Sequence, residues 1–180
     1  MGYGWEGALV RLVPLEKERH LENCLRWCND PQVTETTLMG DVPLSRFAEE
    51  EFFDEMAKPS KAPSDIVLAV ETLDRTAHIG LAGLHAINWR HQTAQTGTLI
   101  GESDFRGRGF GRETSLLRTR YAFEVLGLRM LVSEVFAENT ASLRMLKASG
   151  YVEAGRIPRR YWKRGAYRDV VILYAERDAP

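Results

Sequence analysis

Apolar and polar residues alternate in some stretches of the chain and follow a helical spacing in others. Residues 8–13 alternate, which predicts a first β-strand, whereas apolar residues three and four apart predict a helix over 16–28. The same periodicities predict helices at 45–57, 112–125 and 139–149, strands at 66–71, 78–89, 95–102, 130–136, 151–161 and 168–175, and a turn near 74–75. The order, β-α-α-β-β-β-loop-α-β-α-β-β, predicts an α+β sheet with helices on its faces and not an alternating Rossmann chain.

Length and composition predict one globular domain over residues 1–180. The 180 residues are 44% hydrophobic and 27% charged, and the formal net charge of −1 argues against a dedicated nucleic-acid-binding protein. No apolar run approaches the ~20 residues that cross a bilayer, so we expect no membrane contact. Cys24 and Cys28 are better explained as buried reduced thiols than as a metal pair, because His20 alone is weak support for a site. We therefore predict no metal site and a cytoplasmic location.

The segment 105–112, with the sequence FRGRGFGR, contains the most informative motif. It follows a predicted strand and precedes a predicted helix, so the unpaired N–H groups and the dipole of the helix face the loop. Glycines let the backbone approach a ligand closely, and Arg106, Arg108 and Arg112 add donors for phosphate oxygens. A phosphate-bearing ligand is the interpretation that these features favour.

Two common phosphate loops do not match this segment. A Walker loop needs Lys-Ser or Lys-Thr after its glycines, and a dinucleotide fingerprint needs a third glycine where Arg112 stands. The pattern R-G-R-G-x-G/A resembles the pyrophosphate-binding loop of the GNAT acetyltransferase superfamily, which binds acetyl-coenzyme A. Flexible RNA-binding segments also contain short Gly/Arg runs, so the loop needs support from the rest of the chain.

Further motifs strengthen this resemblance over nearly the whole chain, from about Leu9 to Tyr174. Residues 138–142 with the following Gly150 resemble the GNAT pattern N-x-x-S/A before G-F/Y. The sequence GAYRDV at 165–170 and the Asn-Asp-Pro at 29–31 are similar to the ribosomal-protein alanine N-acetyltransferase (RimJ/RimL-like) branch. The resemblance implies the GNAT fold, a central, mostly antiparallel mixed sheet flanked by helices on both faces.

The same resemblance implies how acetyl-CoA is bound. Its pantetheine arm would pair with the strand before the loop, and the N–H of Ile100 would polarise the thioester carbonyl. Its pyrophosphate would lie on the N–H groups of the loop. The cofactor-binding residues implied in this way are Leu99, Ile100, Gly101, Arg106, Gly107, Arg108, Gly109, Phe110, Gly111, Arg112, Asn139 and Ser142. Asn139 also suits a helix N-cap, which is compatible with a cofactor contact.

The catalytic residues are less clearly marked. Many GNAT enzymes have a tyrosine seven residues after the asparagine as general acid, but Leu146 stands there, and Ser142 matches the serine of the ribosomal-protein branch. Where the family often has a glutamate base, this chain has Thr96. The remaining candidate bases are Glu102, Glu134, His85 and His91, of which Glu102 is our first choice. A missing strong base suits an α-amine, with its pKa of ~7.7–8.0, better than lysine at ~10.4.

In this fold the acceptor enters between the loop after the first helices and the final hairpin. The residues predicted to bind it are Trp27, Thr34, Glu35, Tyr161, Tyr167 and Asp169. Core packing is an alternative role for the aromatic residues, and Asp169 suits fixing the hairpin as well as binding the acceptor.

The favoured function is an acetyl-CoA-dependent N-acetyltransferase in which an amine attacks the thioester directly. A protein N-terminal α-amine is the preferred acceptor and a small amine the second. Leu146 and Thr96 also suit a non-catalytic acyl-CoA-binding module, and the arginines suit an RNA- or ribosome-binding protein, which the net charge disfavours. Besides the acceptor, a second copy of the chain, as a homodimer, is a compatible partner.

Overall fold

The computed structural model describes residues 5–74 and 77–177, so Arg75 of the predicted turn at 74–75 lies outside the described residues. The strands are β1 (Val10–Pro14), β2 (Ile66–Thr72), β3 (His78–Asn88), β4 (Thr93–Ile100), β5 (Met130–Phe136), β6 (Val152–Lys163) and β7 (Ala166–Glu176). The helices are α1 (Lys17–Asn29), α2 (Pro31–Thr34), α3 (Arg46–Met56), α4 (Phe110–Arg120) and α5 (Thr140–Ala148). Within the described ranges, no helix has both the length and the apolar character that crossing a bilayer requires.

All seven strands belong to one sheet in the order β1-β2-β3-β4-β5-β7-β6. Neighbouring strands run antiparallel except β4 and β5, which are parallel. This arrangement confirms the predicted α+β class and the mixed, mostly antiparallel sheet. The parallel pair lies near the middle of the sheet, where the chain crosses over through α4.

Helices cover both faces of the sheet, and each covering helix buries the apolar stripe that its sequence predicts. On one face, Leu21 and Cys24 of α1 and Phe53 of α3 pack against Val67 and Leu99 of the sheet. The opposite face carries α4 and α5. Their buried residues join two clusters with the inner positions of the strands, which include Phe110, Leu117, Leu146, Val10, Leu131 and Leu173.

Two local features differ from the sequence prediction. The Asn-Asp-Pro at 29–31, predicted to stop α1, also starts the short helix α2, because the Asp30 carboxylate accepts the N–H of Gln32 at 2.8 Å. The helix predicted at 112–125 begins two residues earlier, at Phe110, and its last turn, Tyr121–Val125, is a π-helix. Neither feature can be predicted from the periodicity of strands and helices alone.

The parallel pair β4–β5 separates soon after it forms. Residues 93–95 of β4 pair with residues 130–132 of β5, and the hydroxyl groups of Thr96 and Ser133 make the next contact. Beyond that point the described chain forms no further pairing between these two strands, although β4 continues to Ile100 and β5 to Phe136. A gap therefore opens in the centre of the sheet towards the C-terminal ends of both strands.

Candidate active site

The glycine loop lies at the end of β4, beside this gap, and its backbone is arranged for an anion. Gly107 and Gly109 have φ angles of +72° and +93°, a conformation that L-residues rarely adopt. In the described chain, the first-turn N–H groups of Phe110, Gly111 and Arg112 have no backbone acceptor. A side chain at Gly107 would enter open space, so the backbone is accessible there. The loop fits a group with several negatively charged oxygens, such as a pyrophosphate.

The loop arginines are bonded to backbone carbonyl groups. Arg106 donates to the carbonyl oxygens of Ile100 at 2.9 Å and Gly101 at 3.0 Å, so it ties the loop to the end of β4. Arg108 donates to the carbonyl of Asp104 at 3.0 Å, and Arg112 reaches that of Ala148 at 3.3 Å. These contacts pin the loop between β4 and α5. Their phosphate contacts remain a prediction.

The end of β4 presents its backbone to the gap. The N–H of Gly101 donates to the carbonyl of Ile79 on β3 at 2.9 Å. Because successive residues of an antiparallel strand direct their backbone groups to opposite sides, the N–H of Ile100 points away from β3, towards the gap. Leu99 is buried in the core under α1. The geometry therefore suits the predicted role of the Ile100 N–H as a hydrogen-bond donor.

Trp27 was predicted to bind the acceptor, but its side chain is fully buried. It packs against His78, with 4.7 Å between the ring centroids, and burial lowers the pKa of His78 to about 4. A Cβ at Gly101 would lie 2.1 Å from Trp27 Cδ2, so only glycine fits over the indole. Trp27 thus supports the end of β4 from the core and does not line a pocket.

Glu102, the predicted base, is held by neighbouring donors. Its carboxylate accepts the indole N–H of Trp27 at 3.2 Å and a short hydrogen bond from Arg26. These contacts place the carboxylate on the α1 side of the loop. A catalytic role for Glu102 remains a prediction, and it would require these donors to be exchanged for an acceptor.

The start of α5 lies beside the loop that follows α2, through a contact of Asn139 with Thr36. The Asn139 side chain caps the helix by accepting the N–H of Ser142 at 3.0 Å, and its amide also reaches the carbonyl of Thr36 at 3.5 Å. The Ser142 side chain is half-buried, and its hydroxyl makes no hydrogen bond to the described residues. Leu146 stands where many GNAT enzymes have the tyrosine general acid; its side chain has no ionisable group and is buried in the core.

A small cavity of about 50 Å³ opens beside β5 where the strands separate. It is lined by Thr36, Thr37, Leu38, Glu134, Phe136, Tyr161 and Val170. The Tyr161 hydroxyl donates to the Glu134 carboxylate at 2.6 Å, and this bond, together with burial, raises the pKa of Tyr161. Of the predicted acceptor residues, Tyr161 lines this cavity. Glu134, one of the candidate bases, lines the same cavity.

The loop that forms one wall of the cavity is fixed to the β6–β7 hairpin. The buried ammonium of Lys163 donates to the carbonyl of Met39 at 2.5 Å and pairs with Asp41 at 2.8 Å. Arg164 donates to the hydroxyl of the buried Thr34 at 2.9 Å. Thr34 is therefore an anchor for the wall, whereas Glu35 next to it is exposed. The structure brings neither residue into the cavity.

Tyr167 and Asp169 lie in the same hairpin but outside this cavity. The Asp169 carboxylate accepts the backbone N–H of Arg159 at 2.8 Å and a hydrogen bond from Arg156 at 2.7 Å, and these bonds lower its pKa. It fixes the bulge at which Arg159 adopts a φ of +54°. The exposed ring of Tyr167 packs against Trp162. Both predicted acceptor residues border an open depression of about 390 Å³ on the hairpin.

Neither histidine candidate lines the cavity. His85 pairs with Asp65 at 3.0 Å, and its Nε2 lies over Gly97 of β4, where an added Cβ would be 3.5 Å away. His91 lies in the exposed turn before β4, at the opposite end of the strand from the gap.

Arg118 was not predicted as a site residue, but it is fully buried and bonded to Thr98 at the gap. The sequence pattern could have indicated its burial, because Arg118 follows Thr114 and Leu117 at the spacing of the buried face of α4.

The described residues contain no cluster of three or more His, Cys, Asp or Glu side chains that could hold a metal ion.

Comparison with known sequences gives a family match for most of the chain. A family model described as an acetyltransferase (GNAT) domain matches residues 10–152. The α/β-tubulin N-acetyltransferase 9 of Drosophila melanogaster is 33% identical over 169 residues, covering 84% of this chain and 79% of the fly protein. The N-acetyltransferase YoaA of Bacillus subtilis, otherwise uncharacterised, is 31% identical over 100 residues, 56% of each chain.

Comparison with solved structures supports the fold. The spermidine N-acetyltransferase of Vibrio cholerae, in complex with CoA and spermine, superposes with a TM-score of 0.84. It covers 94% of this chain and 96% of its own, at 23% identity. A dodecameric form of the Vibrio enzyme gives a TM-score of 0.78. At this identity the likeness establishes the fold alone.

Proposed function

This chain belongs to the GNAT acetyltransferase family, and from that premise we propose that it acetylates the α-amino group of a protein N-terminus. It is an N-acetyltransferase, and acetyl-CoA is its acetyl donor. The observation that carries the proposal is the Glu134–Tyr161 pair in the cavity beside β5, where the two central strands separate. A carboxylate at that place can receive the proton of an amine that enters from the hairpin side.

Each part of the site has a separate task in the proposed reaction. Acetyl-CoA supplies an acetyl group activated as a thioester. The N–H groups at the start of α4 bind the pyrophosphate, and the Ile100 N–H donates to the thioester oxygen. Tyr161 orients Glu134 through its 2.6 Å hydrogen bond, and Glu134 takes the amine proton directly or through one water. Glu102 is the alternative base.

The sequence departures that suggested a non-catalytic binder have structural roles. Leu146 fills the core between α5 and the sheet, and Thr96 bonds to Ser133 at the last contact between β4 and β5. These two residues are therefore explained by packing and strand pairing and do not by themselves indicate a loss of catalysis. We propose that Ser142 relays a proton to the departing sulfur, because its hydroxyl makes no hydrogen bond to the described residues.

The charges at the cavity support an acceptor with a single amine. Glu134 is the single carboxylate among its lining residues, and the guanidinium of Arg160 lies 3.8 Å from that carboxylate. A polyamine would need several negative charges along its length, whereas a peptide amine needs one base and room for its first residue. An α-amine with a pKa of ~7.7–8.0 is partly neutral at pH 7, so a partly shielded carboxylate suffices as its base.

An acceptor panel with acetyl-CoA tests this proposal, with free thiol release as the readout. The panel contains a peptide with a free α-amine and no lysine, the same peptide with a blocked N-terminus and one lysine, and spermidine. We expect thiol release with the free α-amine alone. Release with spermidine alone would reassign the site to polyamines, and release with the blocked peptide alone would reassign it to lysine side chains.

We further propose that the acceptor is a protein and that the enzyme acts in the cytoplasm. The likeness of residues 165–170 to the ribosomal-protein branch supports a protein substrate. Cys24 and Cys28 are free and buried, which supports a reducing, cytoplasmic location. Adding peptides with the N-terminal sequences of tubulin and of ribosomal proteins to the panel would separate these two classes of protein acceptor.

A further inference from the structure

Arg118 is a buried cation without a counter-ion. Its side chain is 1% exposed, and no carboxylate of the described chain lies within salt-bridge distance of it. Removing a charge from water costs several kcal/mol, and a neutral apolar residue of similar size at such a place is often neutral or stabilising. The position therefore calls for an explanation other than stability.

The guanidinium is bonded mainly to the strand that borders the gap. Its Nη1 donates to the carbonyl of Gly97 at 2.7 Å and to the hydroxyl of Thr98 at 2.6 Å. Its Nη2 makes longer contacts, 3.3 Å to the Ser115 hydroxyl and 3.4 Å to the Tyr151 hydroxyl. The Nε is buried and has no partner. Neutral oxygens alone surround this charge.

Thr98 lies where these contacts meet the gap. It is two residues beyond Thr96, the last contact between β4 and β5, and it is half-buried although β4 is a central strand. Its oxygen accepts the bond from Arg118, so its own hydrogen is free to donate. Within the described chain that hydrogen has no acceptor. A cation bonded to the oxygen also makes the hydroxyl a stronger donor.

We propose that Arg118 is a positioning residue that aims the Thr98 hydroxyl at the sulfur released during acetyl transfer. Glu134 takes the proton of the amine as the new carbon–nitrogen bond forms. Thr98 then donates a hydrogen bond to the sulfur, which keeps the electron pair of the broken carbon–sulfur bond. The Arg118 charge favours that negative charge. The sulfur then takes a proton from solvent through the Ser142 hydroxyl, and Glu134 releases the amine proton to solvent, so that one proton is lost and one gained. The inference rests on acetyl transfer but not on which amine accepts the acetyl group.

Binding of CoA and of desulfo-CoA, which lacks the thiol, tests this role without an acceptor. In the unmodified protein we expect the affinity ratio of CoA to desulfo-CoA to rise with pH from 7 to 10, because the site favours the thiolate. Arg118→Met and Thr98→Val should flatten that rise. Arg118→Lys, which keeps the charge, should preserve part of it. Thr119→Val should preserve all of it, since Thr119 bonds to the Tyr151 hydroxyl at 2.9 Å and does not reach β4.

Turnover gives a second readout. We expect Thr98→Val to lower kcat by about tenfold or more, the loss of one hydrogen bond to a charged group, with the KM for acetyl-CoA nearly unchanged. Arg118→Met should lower kcat similarly while its Tm stays equal or rises. The proposal would be overturned if the CoA to desulfo-CoA affinity ratio of Thr98→Val rose with pH as much as that of the unmodified protein. Thr98→Val replaces only one hydroxyl by a methyl group, so the test can still be made if Arg118→Met does not fold.

Discussion

Two glycines flank the helical segment 110–125, and comparing their alanine variants separates the effect of backbone strain on stability from the effect of the loop on ligand binding. Gly107 lies in the loop with φ +72°, and Gly127 follows the last turn of the same helical segment with φ +70°. A Cβ built on either residue meets no atom within 4 Å. Replacing each by alanine therefore imposes the same backbone strain, about 1–2 kcal/mol, without a steric clash inside the protein. We expect both variants to lose about 2–8 °C of Tm.

The two variants should differ when the ligand is added. Acetyl-CoA at ~100 times its Kd stabilises the unmodified protein by ~2.7 kcal/mol, which is a rise of about 5–11 °C for a chain of this size. Gly127→Ala should keep that rise. Gly107→Ala should lose most of it, because the methyl group occupies space that the pyrophosphate needs. Gly109→Val, with φ +93° at the N-cap, should lose it as well.

The assay is a thermal-shift series with acetyl-CoA, CoA, ATP and NAD at matched concentrations. The unmodified protein should respond to acetyl-CoA and CoA and not to ATP or NAD. An equal acetyl-CoA rise in Gly107→Ala and Gly127→Ala would refute the assignment of the loop as the phosphate site. A response to ATP of similar size would refute its selectivity for the coenzyme.

Three further predictions concern the catalytic groups and the core beneath the site. Glu134→Gln should lower kcat by about 10²–10⁴-fold, the usual contribution of a general base, whereas Glu102→Gln should have a much smaller effect; the opposite order of rates would return the base to Glu102. Ser142→Ala should lower kcat by about 10-fold with little change in acetyl-CoA affinity, since a hydroxyl relay is weaker than a general acid, and a wild-type rate would move the proton relay elsewhere. Because the pKa of His78 falls from 6.5 to about 4 on folding, the unfolded chain binds more protons between these values and stability decreases as the pH falls through them. The loss reaches up to about 3 kcal/mol, and urea unfolding at pH 7 and pH 4 should show a smaller difference for His78→Gln, while equal differences would contradict the burial of a neutral imidazole.

The fold was predictable because most of its elements follow a single periodicity. Strand β5 begins and ends at the predicted residues, and Ser45, where the predicted helix at 45–57 begins, caps α3 by accepting the N–H of Ala48 at 3.1 Å. The glycine loop was predictable for a similar reason, since its conformation depends on neighbouring residues in the sequence.

The site beyond the loop depends on contacts that span the chain. Trp27 belongs to the core because Gly101, more than 70 residues away, has no side chain above the indole. Glu134 gains its place through Tyr161, which lies two strands away in the sheet order. No local pattern encodes these pairings, so the sequence supplied Glu102 and Glu134 as candidates for the base but not their contacts, and the choice between them stays a prediction.

The early separation of β4 and β5 also has a consequence for the dynamics of the free protein. Three residues of each strand pair across the centre of the sheet. At the paired end a buried cluster with residues of β3, β4, β5 and β7 holds the two sides together, so only the ends of β4 and β5 beyond Thr96 and Ser133 lack pairing with each other. Amides at these ends are therefore expected to exchange faster than those at the paired end. A ligand that lies along the exposed edge of β4 would bridge the two ends, and amide exchange on both sides of the gap would then slow together.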